Sequence, residues 1–255
     1  MAIKVVIAEK STPENRELMV LHHLENTRSA YHPGYKHVLQ MLDEFYIYGP
    51  NGKHLCIVSH VLGPSAVYFA DNHRANEQLA RSVSRQLLLA VGYLHEAGVV
   101  HGEIHLGNVL FRLPEIDKID PDLIITRFER QLAAISQIGG GELRDRVPPY
   151  LISSTRLNRQ DPGPLHEVQL IGFEEGTESQ TLCFVVLCFM ILCFMILKLI
   201  ACVAFFIDSC PPTYRTIRTF QPPEVVFGLP ITMAVDIWDL GCTVKAQGNR
   251  FQLPD

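Results

Sequence analysis

The longest periodic pattern of apolar and polar positions in the chain runs from residue 76 to residue 97. Its apolar residues recur three or four positions apart, which places them on one face of a helix. They are Leu79, Val83, Leu87, Val91 and Leu94. Gly98 follows directly, and glycine commonly ends helices because it adopts the left-handed conformation without strain. The pattern predicts an amphipathic helix over 76–97.

Shorter apolar runs near the N-terminus predict a strand followed by a second helix. Apart from Lys4, residues 2–7 are apolar and mostly β-branched, as is typical of a strand. A helix-start signature follows at 11–14, with a serine and a threonine before a proline and a glutamate. Leucines three residues apart then predict a helix over about 13–25. They are Leu18, Leu21 and Leu24.

A predicted hairpin and a predicted lobe boundary lie between these two helices. The strand-like runs 37–48 and 54–62 flank the sequence Gly-Pro-Asn-Gly at 49–52, and Asn-Gly is a strong hairpin signal. Gly63 and Pro64 then interrupt the pattern. We expect one lobe over 1–62 and another over 63–255.

Residues 112–165, the insert segment, break the regular rhythm of the chain. This segment carries six prolines and the run Gly139–Gly141, which is typical of an inserted and partly disordered excursion. One helix is predicted within it, over about 124–137. Residues 166–176 then return to a strand and a turn, after the short strand predicted at 109–111.

Residues 182–207, the hydrophobic run, contain a single charge, Lys198. The length and hydropathy of this run are those of a transmembrane helix. However, the run is rich in β-branched and aromatic residues and separates two stretches that belong to one globular site. Three interpretations stay open: a membrane span, a buried hydrophobic segment, or non-native sequence from an unremoved intervening segment. In a soluble protein the run is an aggregation hazard.

Composition excludes several other classes of protein. The chain has 255 residues, of which 47% are hydrophobic and 19% charged, which is a globular composition. Its net charge of -5 and its lack of basic runs give no sign of a nucleic-acid partner. The seven cysteines form no CxxC pair, so neither a zinc site nor a disulfide framework is indicated. The apolar N-terminal run is too short for a signal peptide.

The 101–108 loop carries the most distinctive chemistry. His101, Glu103 and Asn108 lie between the end of the long predicted helix and a short apolar strand. A carboxylate can orient and accept the proton of a substrate hydroxyl, and a nearby amide oxygen can ligate magnesium, as phosphoryl transfer requires. Lys4 on the first strand and Glu17 on the next helix could pair and aim an ammonium at a phosphate. The alternatives are incidental polar residues at a helix–strand junction and a snorkelling lysine with a solvated glutamate.

The order of the motifs resembles the eukaryotic protein-kinase domain, from its third strand to its central C-lobe helix. Ala2–Lys4 resembles the end of the VAIK strand, and Gly172-Phe173 the DFG turn. Pro222–Glu224 resembles the APE motif, and Asp236–Gly241 the DxWxxG helix start. The resemblance implies an α+β, two-lobed kinase fold with an incomplete N-lobe sheet and a truncated helical C-lobe.

Within that fold, the chain is similar to SR-protein kinases of a fungal type. The phrases that carry this are VLQMLDEF from residue 38, GPNGKHLCIV from residue 49 and HVLG from residue 60. The insert segment also lies where that family carries a spacer. The resemblance implies ATP-dependent transfer to serine in Arg-Ser-rich proteins, with Mg²⁺ as cofactor. It implies a cytoplasmic or nuclear protein, unless the hydrophobic run is a true membrane span.

The same resemblance assigns roles to individual residues. Lys4 would hold the α- and β-phosphates, and Glu17 would orient Lys4. Glu103 would stand in for the proton-accepting aspartate, and Asn108 would bind magnesium. His60 and Leu62 would meet adenine through backbone groups, with Ser59 beside the pocket. Glu224 would brace the C-lobe, and Asp236 would tie the catalytic loop down from below.

Several departures from the family predict that this chain is at best a very poor kinase. Gly172 replaces the aspartate that holds the main magnesium ion. Glu103 is one methylene longer than aspartate, and a misplacement of about 1 Å can cost about a hundredfold in rate. Gly102 and His105 replace the arginine and lysine that usually flank the base. The glycine-rich phosphate loop and the C-terminal substrate-binding helices have no counterpart in the sequence.

Two other functions stay open. His101–Asn108, HGEIHLGN, also resembles the HGDLHxGN loop of aminoglycoside and choline phosphotransferases, which share the fold. A pseudokinase would instead keep the shape and bind partners without catalysis.

Overall fold

The computed structural model describes two clusters of secondary structure joined through a common core. The residues that it describes are 1–27, 31–68, 77–113, 132–141, 143, 147, 150–152, 167–173, 177–178, 221–229 and 231–250.

The N-terminal sheet has three antiparallel strands in the order β1-β3-β2. They are β1 (Ala2–Val5), β2 (Met41–Gly49) and β3 (Gly52–Ser59). Gly49 pairs with Gly52, so Pro50 and Asn51 form the turn and the predicted Asn-Gly position is off by one residue. Gly52 has φ 122°, a conformation that glycine adopts readily. The hairpin is confirmed, although its strands begin and end between one and four residues away from the predicted limits.

The apolar stripe of helix α1 (Arg16–Asn26) joins the core cluster that also contains Leu55 and Ile57 of this sheet. Leu18, Leu21 and Leu24 are buried, as the spacing predicted. The predicted start near residue 13 is wrong, because Asn15 caps the helix and its side chain accepts from the amide of Leu18 at 3.0 Å. The Ser11 hydroxyl has a different role: it donates to Ile7 O and accepts from the amide of Leu55 on β3.

The long predicted helix is confirmed as α2 (Glu77–Glu96). Gly98 follows it with φ 75°, so the predicted stop is also confirmed. The buried face of α2 joins one apolar core that includes Leu55 and Ile57 of the N-terminal sheet and Leu170 of a later strand. That shared core holds the two clusters together.

Three short strands form a second sheet in the order β4-β6-β9. They are β4 (Leu62–Ser65), β6 (Val109–Arg112) and β9 (Val168–Leu170). Gly63 and Pro64, the predicted lobe boundary, lie inside β4. The register shifts between Leu62 and Ser65, as expected where a proline cannot donate to the ladder. The division into 1–62 and 63–255 stays a prediction.

The structure of the insert segment differs from the predicted helix. Strand β7 (Leu132–Ala134) pairs antiparallel with β8 (Tyr150–Ile152), so the helix predicted over 124–137 is wrong at its described end. The glycines at 139–141 all have positive φ, which turns the chain away from a helical path. Most of the insert segment lies outside the described residues.

The hydrophobic run lies wholly outside the described residues. Within the part of the chain that the structure describes, no helix is long and apolar enough to cross a membrane.

The C-terminal part supplies two helices and one short strand pair. These are α3 (Pro223–Val226), α4 (Ala234–Arg250), and β5 (Val99–Val100) paired with β10 (Thr177–Glu178). The helix start implied at Asp236–Gly241 is therefore confirmed. Helix α4 packs against α2 and beneath the 101–108 loop.

Candidate functional site

The 101–108 loop is anchored from below by one buried carboxylate. Asp236, on the first turn of α4, is fully buried and accepts from the amides of His101 and Gly102, each at 2.8 Å. His95 of α2 lies 2.9 Å from the same carboxylate through Nε2. Burial by itself raises the pKa of Asp236, but the bond from His95 and the other nearby donors outweigh it and leave the pKa below its usual value. The ionised carboxylate thus fixes the loop backbone.

A second set of contacts continues this anchoring along α4. Asp239 accepts from the amide of Ile104 at 3.3 Å, and the Thr243 hydroxyl donates to Ile104 O at 2.9 Å. All three residues are buried. The loop therefore rests on one face of α4 over two helical turns.

His101 connects the loop to the Gly172-Phe173 turn. Its ring is fully buried, accepts from the Glu103 amide through Nδ1 at 3.2 Å, and donates through Nε2 to Ile171 O at 3.0 Å. The ring centre lies 5.0 Å from that of Phe173. Burial lowers the pKa of His101, which favours the neutral ring that these bonds require.

Glu103 presents a partly exposed carboxylate above this anchor. One third of its side chain is accessible, and Oε1 lies 3.8 Å from Nε2 of His105. The Glu103 carbonyl accepts from Nδ2 of Asn108 at 3.0 Å. His105 accepts from the Gly107 amide through Nδ1 at 3.0 Å, and burial lowers the pKa of His105. The structure therefore brings Glu103 and Asn108 together, with an accessible group able to accept a proton.

Lys4 and Glu17 form the ion pair that the sequence suggested. Lys4 Nζ lies 2.7 Å from Glu17 Oε2, and the Glu17 side chain is only 5% exposed. Helix α1 is held at its far end by the Tyr93 hydroxyl, which donates to Leu24 O, and by His23, whose Nε2 lies 2.7 Å from Ala97 O. Because α1 is held against α2, Glu17 is held against Lys4.

The residues predicted to line an adenine pocket lie along one connection. Ser59 ends β3, His60 is exposed, and Leu62 begins β4. The Ser59 hydroxyl donates to the His60 carbonyl at 3.3 Å. Glu224 lies in the first turn of α3. Nucleotide binding by the first three residues and bracing by Glu224 stay predictions.

Sequence reasoning missed His95, Asp239 and Thr243. A signal existed for His95, because it falls four residues after Val91 on the buried face of α2, where a polar residue needs a partner. Asp239 and Thr243 gave no comparable signal, since their roles depend on how α4 lies under the loop.

Comparison with curated proteins finds kinases, although no family model matches the chain. A serine/threonine protein kinase of Aspergillus fumigatus is 41% identical over 105 residues, which are 40% of this chain and 26% of that protein. Protein kinase dsk1 of Schizosaccharomyces pombe is 39% identical over 83 residues, 31% of this chain and 15% of that protein. Serine/threonine-protein kinase SKY1 of Saccharomyces cerevisiae is 32% identical over 128 residues, which are 47% of this chain and 17% of that protein. The chain spans about a quarter or less of the curated relatives it matches.

A structural comparison agrees on the fold. A crystal structure of a kinase domain superimposes with a TM-score of 0.53 and 17% sequence identity, over 95% of this chain and 55% of that one. The predicted α+β kinase fold is thus confirmed. The chain has the protein-kinase fold, and its homologues are members of the SR-protein kinase family.

Proposed function

We propose that this chain is a serine/threonine protein kinase that transfers the γ-phosphoryl group of ATP to serine in Arg-Ser-rich proteins, at a much reduced rate. The observation that carries the proposal is the 101–108 loop, in which Asp236 fixes the backbone and Glu103 stays accessible above it. The similarity to SR-protein kinases supports the substrate class.

In this proposal, each described residue has a definite task. Lys4, held by Glu17 at 2.7 Å, contacts the phosphates of ATP with its ammonium. Glu103 accepts the proton of the serine hydroxyl as the serine oxygen bonds to the γ-phosphorus. The bond from that phosphorus to the bridging oxygen breaks, which leaves ADP and phosphoserine. Positioning and electrostatic stabilisation of this kind supply most of the catalysis in phosphoryl transfer.

The rate is expected to be low for two structural reasons. Glu103 places its carboxylate about one methylene beyond the position that aspartate would reach, and a 1 Å displacement can cost about a hundredfold. Gly172 offers no side-chain ligand beside Asn108. A divalent cation, where bound, would neutralise phosphate charge, but no step above depends on one.

The test is transfer of radioactive phosphate from ATP to an Arg-Ser repeat peptide. We expect turnover well below the ordinary kinase range of about 1–100 s⁻¹, and loss of the residual signal in Glu103→Gln. Glu103→Asp should raise the rate by up to about a hundredfold, because it restores the shorter reach. Glu14→Gln, at an exposed glutamate of the N-terminal region, is the matched control and should leave the rate unchanged.

The outcome of that assay also separates the other functions. Wild-type turnover near 1 s⁻¹ would refute the predicted impairment. Transfer to choline or an aminoglycoside, but not to the peptide, would favour the small-molecule alternative, although the relatives reported above are protein kinases. No transfer to any acceptor would favour the pseudokinase, which the glycine at position 172 specifically supports.

By the same resemblance, we place the protein in the cytoplasm or nucleus. The alternative is a membrane location through the hydrophobic run. Cell fractionation decides between them, since a chain that stays with membranes after a carbonate wash would contradict a cytoplasmic or nuclear location.

A further inference from the structure

The space beside Asn108 where a kinase would hold its main magnesium ligand is filled in this chain. Gly172 has φ 90°, and a Cβ built on it would lie 2.9 Å from Cγ and from Nδ2 of Asn108, and 3.0 Å from Oδ1. Real Cβ atoms essentially never lie within 3.0 Å of other heavy atoms. The amide of Asn108 therefore occupies the place where a side chain at position 172 would begin.

Hydrogen bonds hold the Asn108 amide in that place. The side-chain Nδ2 of Asn108 donates to Glu103 O at 3.0 Å. The backbone of Asn108 is also held: its carbonyl accepts from the Ile171 amide at 2.9 Å, and its N–H donates to His105 O at 2.9 Å. The side-chain atom left for a ligand is Oδ1. An aspartate at 172 could enter only if the amide of Asn108 turned away from Glu103 O.

This donor set does not fit a magnesium ion. Mg²⁺ requires near-octahedral oxygen coordination and is usually bound through one or two carboxylates together with substrate phosphates. Here the loop offers the neutral amide oxygen of Asn108 and one carboxylate, that of Glu103, which the proposed function assigns to the serine proton. Among the described residues no three acidic, histidine or cysteine side chains are grouped so as to hold a metal. Glu174 and Glu175, the nearest carboxylates in sequence after Gly172, lie outside the described residues.

We infer that this site takes ATP as the metal-free nucleotide, with the phosphate charge balanced by Lys4 in place of a divalent cation held by the chain. The inference rests on the proposed function, because it assumes the nucleotide site described there. Lys4 is suited to this task, since the buried Glu17 carboxylate fixes its position while nearly half of its side chain stays accessible. Mg²⁺ in solution cancels part of the phosphate charge and therefore weakens the attraction between ATP and Lys4.

Calorimetric titration with ATP, in EDTA and in excess Mg²⁺, tests this inference. We expect the wild-type chain to bind ATP at least as tightly in EDTA as in Mg²⁺. Gly172→Asp should bind ATP about tenfold or more tightly once Mg²⁺ is added, because it supplies the missing carboxylate. Gly172→Ala is the matched control: its Cβ meets Asn108 in the same way but brings no ligand, so Mg²⁺ should not tighten its binding.

The possible failures are distinguishable. ATP binding by the wild-type chain that tightens about tenfold on adding Mg²⁺ would overturn the inference alone and leave the proposed nucleotide site intact. No ATP binding in either buffer would overturn the proposed function together with the inference. Should Gly172→Asp not fold, Mn²⁺ electron paramagnetic resonance of the wild-type chain with ATP gives a second readout. A protein-bound Mn²⁺–ATP signal would contradict the inference. Absence of that signal, in a chain that binds ATP in EDTA, would support it.

Discussion

Replacing Asp236 with asparagine removes the charge that anchors the 101–108 loop while keeping the shape of the side chain. The carboxylate accepts from the amides of His101 and Gly102 and lies 2.9 Å from Nε2 of His95. Asparagine keeps one accepting oxygen, but its NH₂ group must face at least one of these donors. His95 could change tautomer and accept from the NH₂ group, whereas a backbone amide has no such alternative. The substitution therefore loses one or two hydrogen bonds to a charged group.

The expected destabilisation is large. A hydrogen bond to a charged group contributes about 1.5–3 kcal/mol, and a buried donor left unsatisfied costs a comparable amount. We expect Asp236→Asn to lower the free energy of unfolding by about 2–5 kcal/mol, out of a total that is typically about 5–15 kcal/mol. Urea unfolding measures this, and Trp238, the one tryptophan of the chain, reports from the same helix. Hydrogen exchange should show faster exchange of the His101 and Gly102 amides.

Asp239→Asn is the matched control. Asp239 is buried on the same helix, but its hydrogen bond from the Ile104 amide is long at 3.3 Å, and an asparagine oxygen can keep it. We expect a loss of about 1 kcal/mol. If Asp236→Asn unfolded within about 1 kcal/mol of the wild type, with unchanged protection of the two amides, the anchoring argument would be refuted.

Two further predictions concern stability. Gly98→Ala should destabilise the chain by about 1 kcal/mol, because Gly98 has φ 75°. Gly92→Ala, within α2, should stabilise the chain by about 0.5–1 kcal/mol, because the added Cβ would meet nothing closer than 4.0 Å. Equal effects of the two substitutions in urea unfolding would contradict this reasoning. Burial lowers the folded-state pKa of His37 and of His101 below 6.5, so the unfolded chain binds more protons and stability falls as the pH drops below about 6.5. The melting temperature should therefore fall between pH 7.5 and pH 5.5, and less steeply in His37→Gln; a flat profile would argue against it.

The parts of the fold that sequence predicted well are those that local pattern determines. Helix α2 was placed to within one residue because its apolar stripe is uninterrupted and Gly98 ends it. The predicted start of helix α1 is too early in the chain. A serine before an apolar stripe can either cap a helix or form a hydrogen bond with a neighbouring strand, and Ser11 accepts from the amide of Leu55. The run Leu132–Ala134 became a strand because it pairs with Tyr150–Ile152, and no periodicity in three residues could indicate that partner.

The site shows the same division between local and long-range information. Lys4 and Glu17 could be proposed as a pair because strand and helix follow one another in the chain, and they lie 2.7 Å apart. The contact of Asn108 with Gly172 could not be foreseen, because it depends on the packing of β6 beside β9.

The contacts that order the 101–108 loop stabilise the fold as well as positioning Glu103. The loop backbone is fixed by Asp236 from α4 and by His101 against Phe173, and these contacts are buried and contribute to the common core whether or not phosphate is transferred. Of the two positions that bear on chemistry, Glu103 keeps one third of its side chain accessible, and Gly172 has no side chain that could take part in that anchoring. A chain can therefore keep this loop in good order for stability alone while its metal ligand is lost.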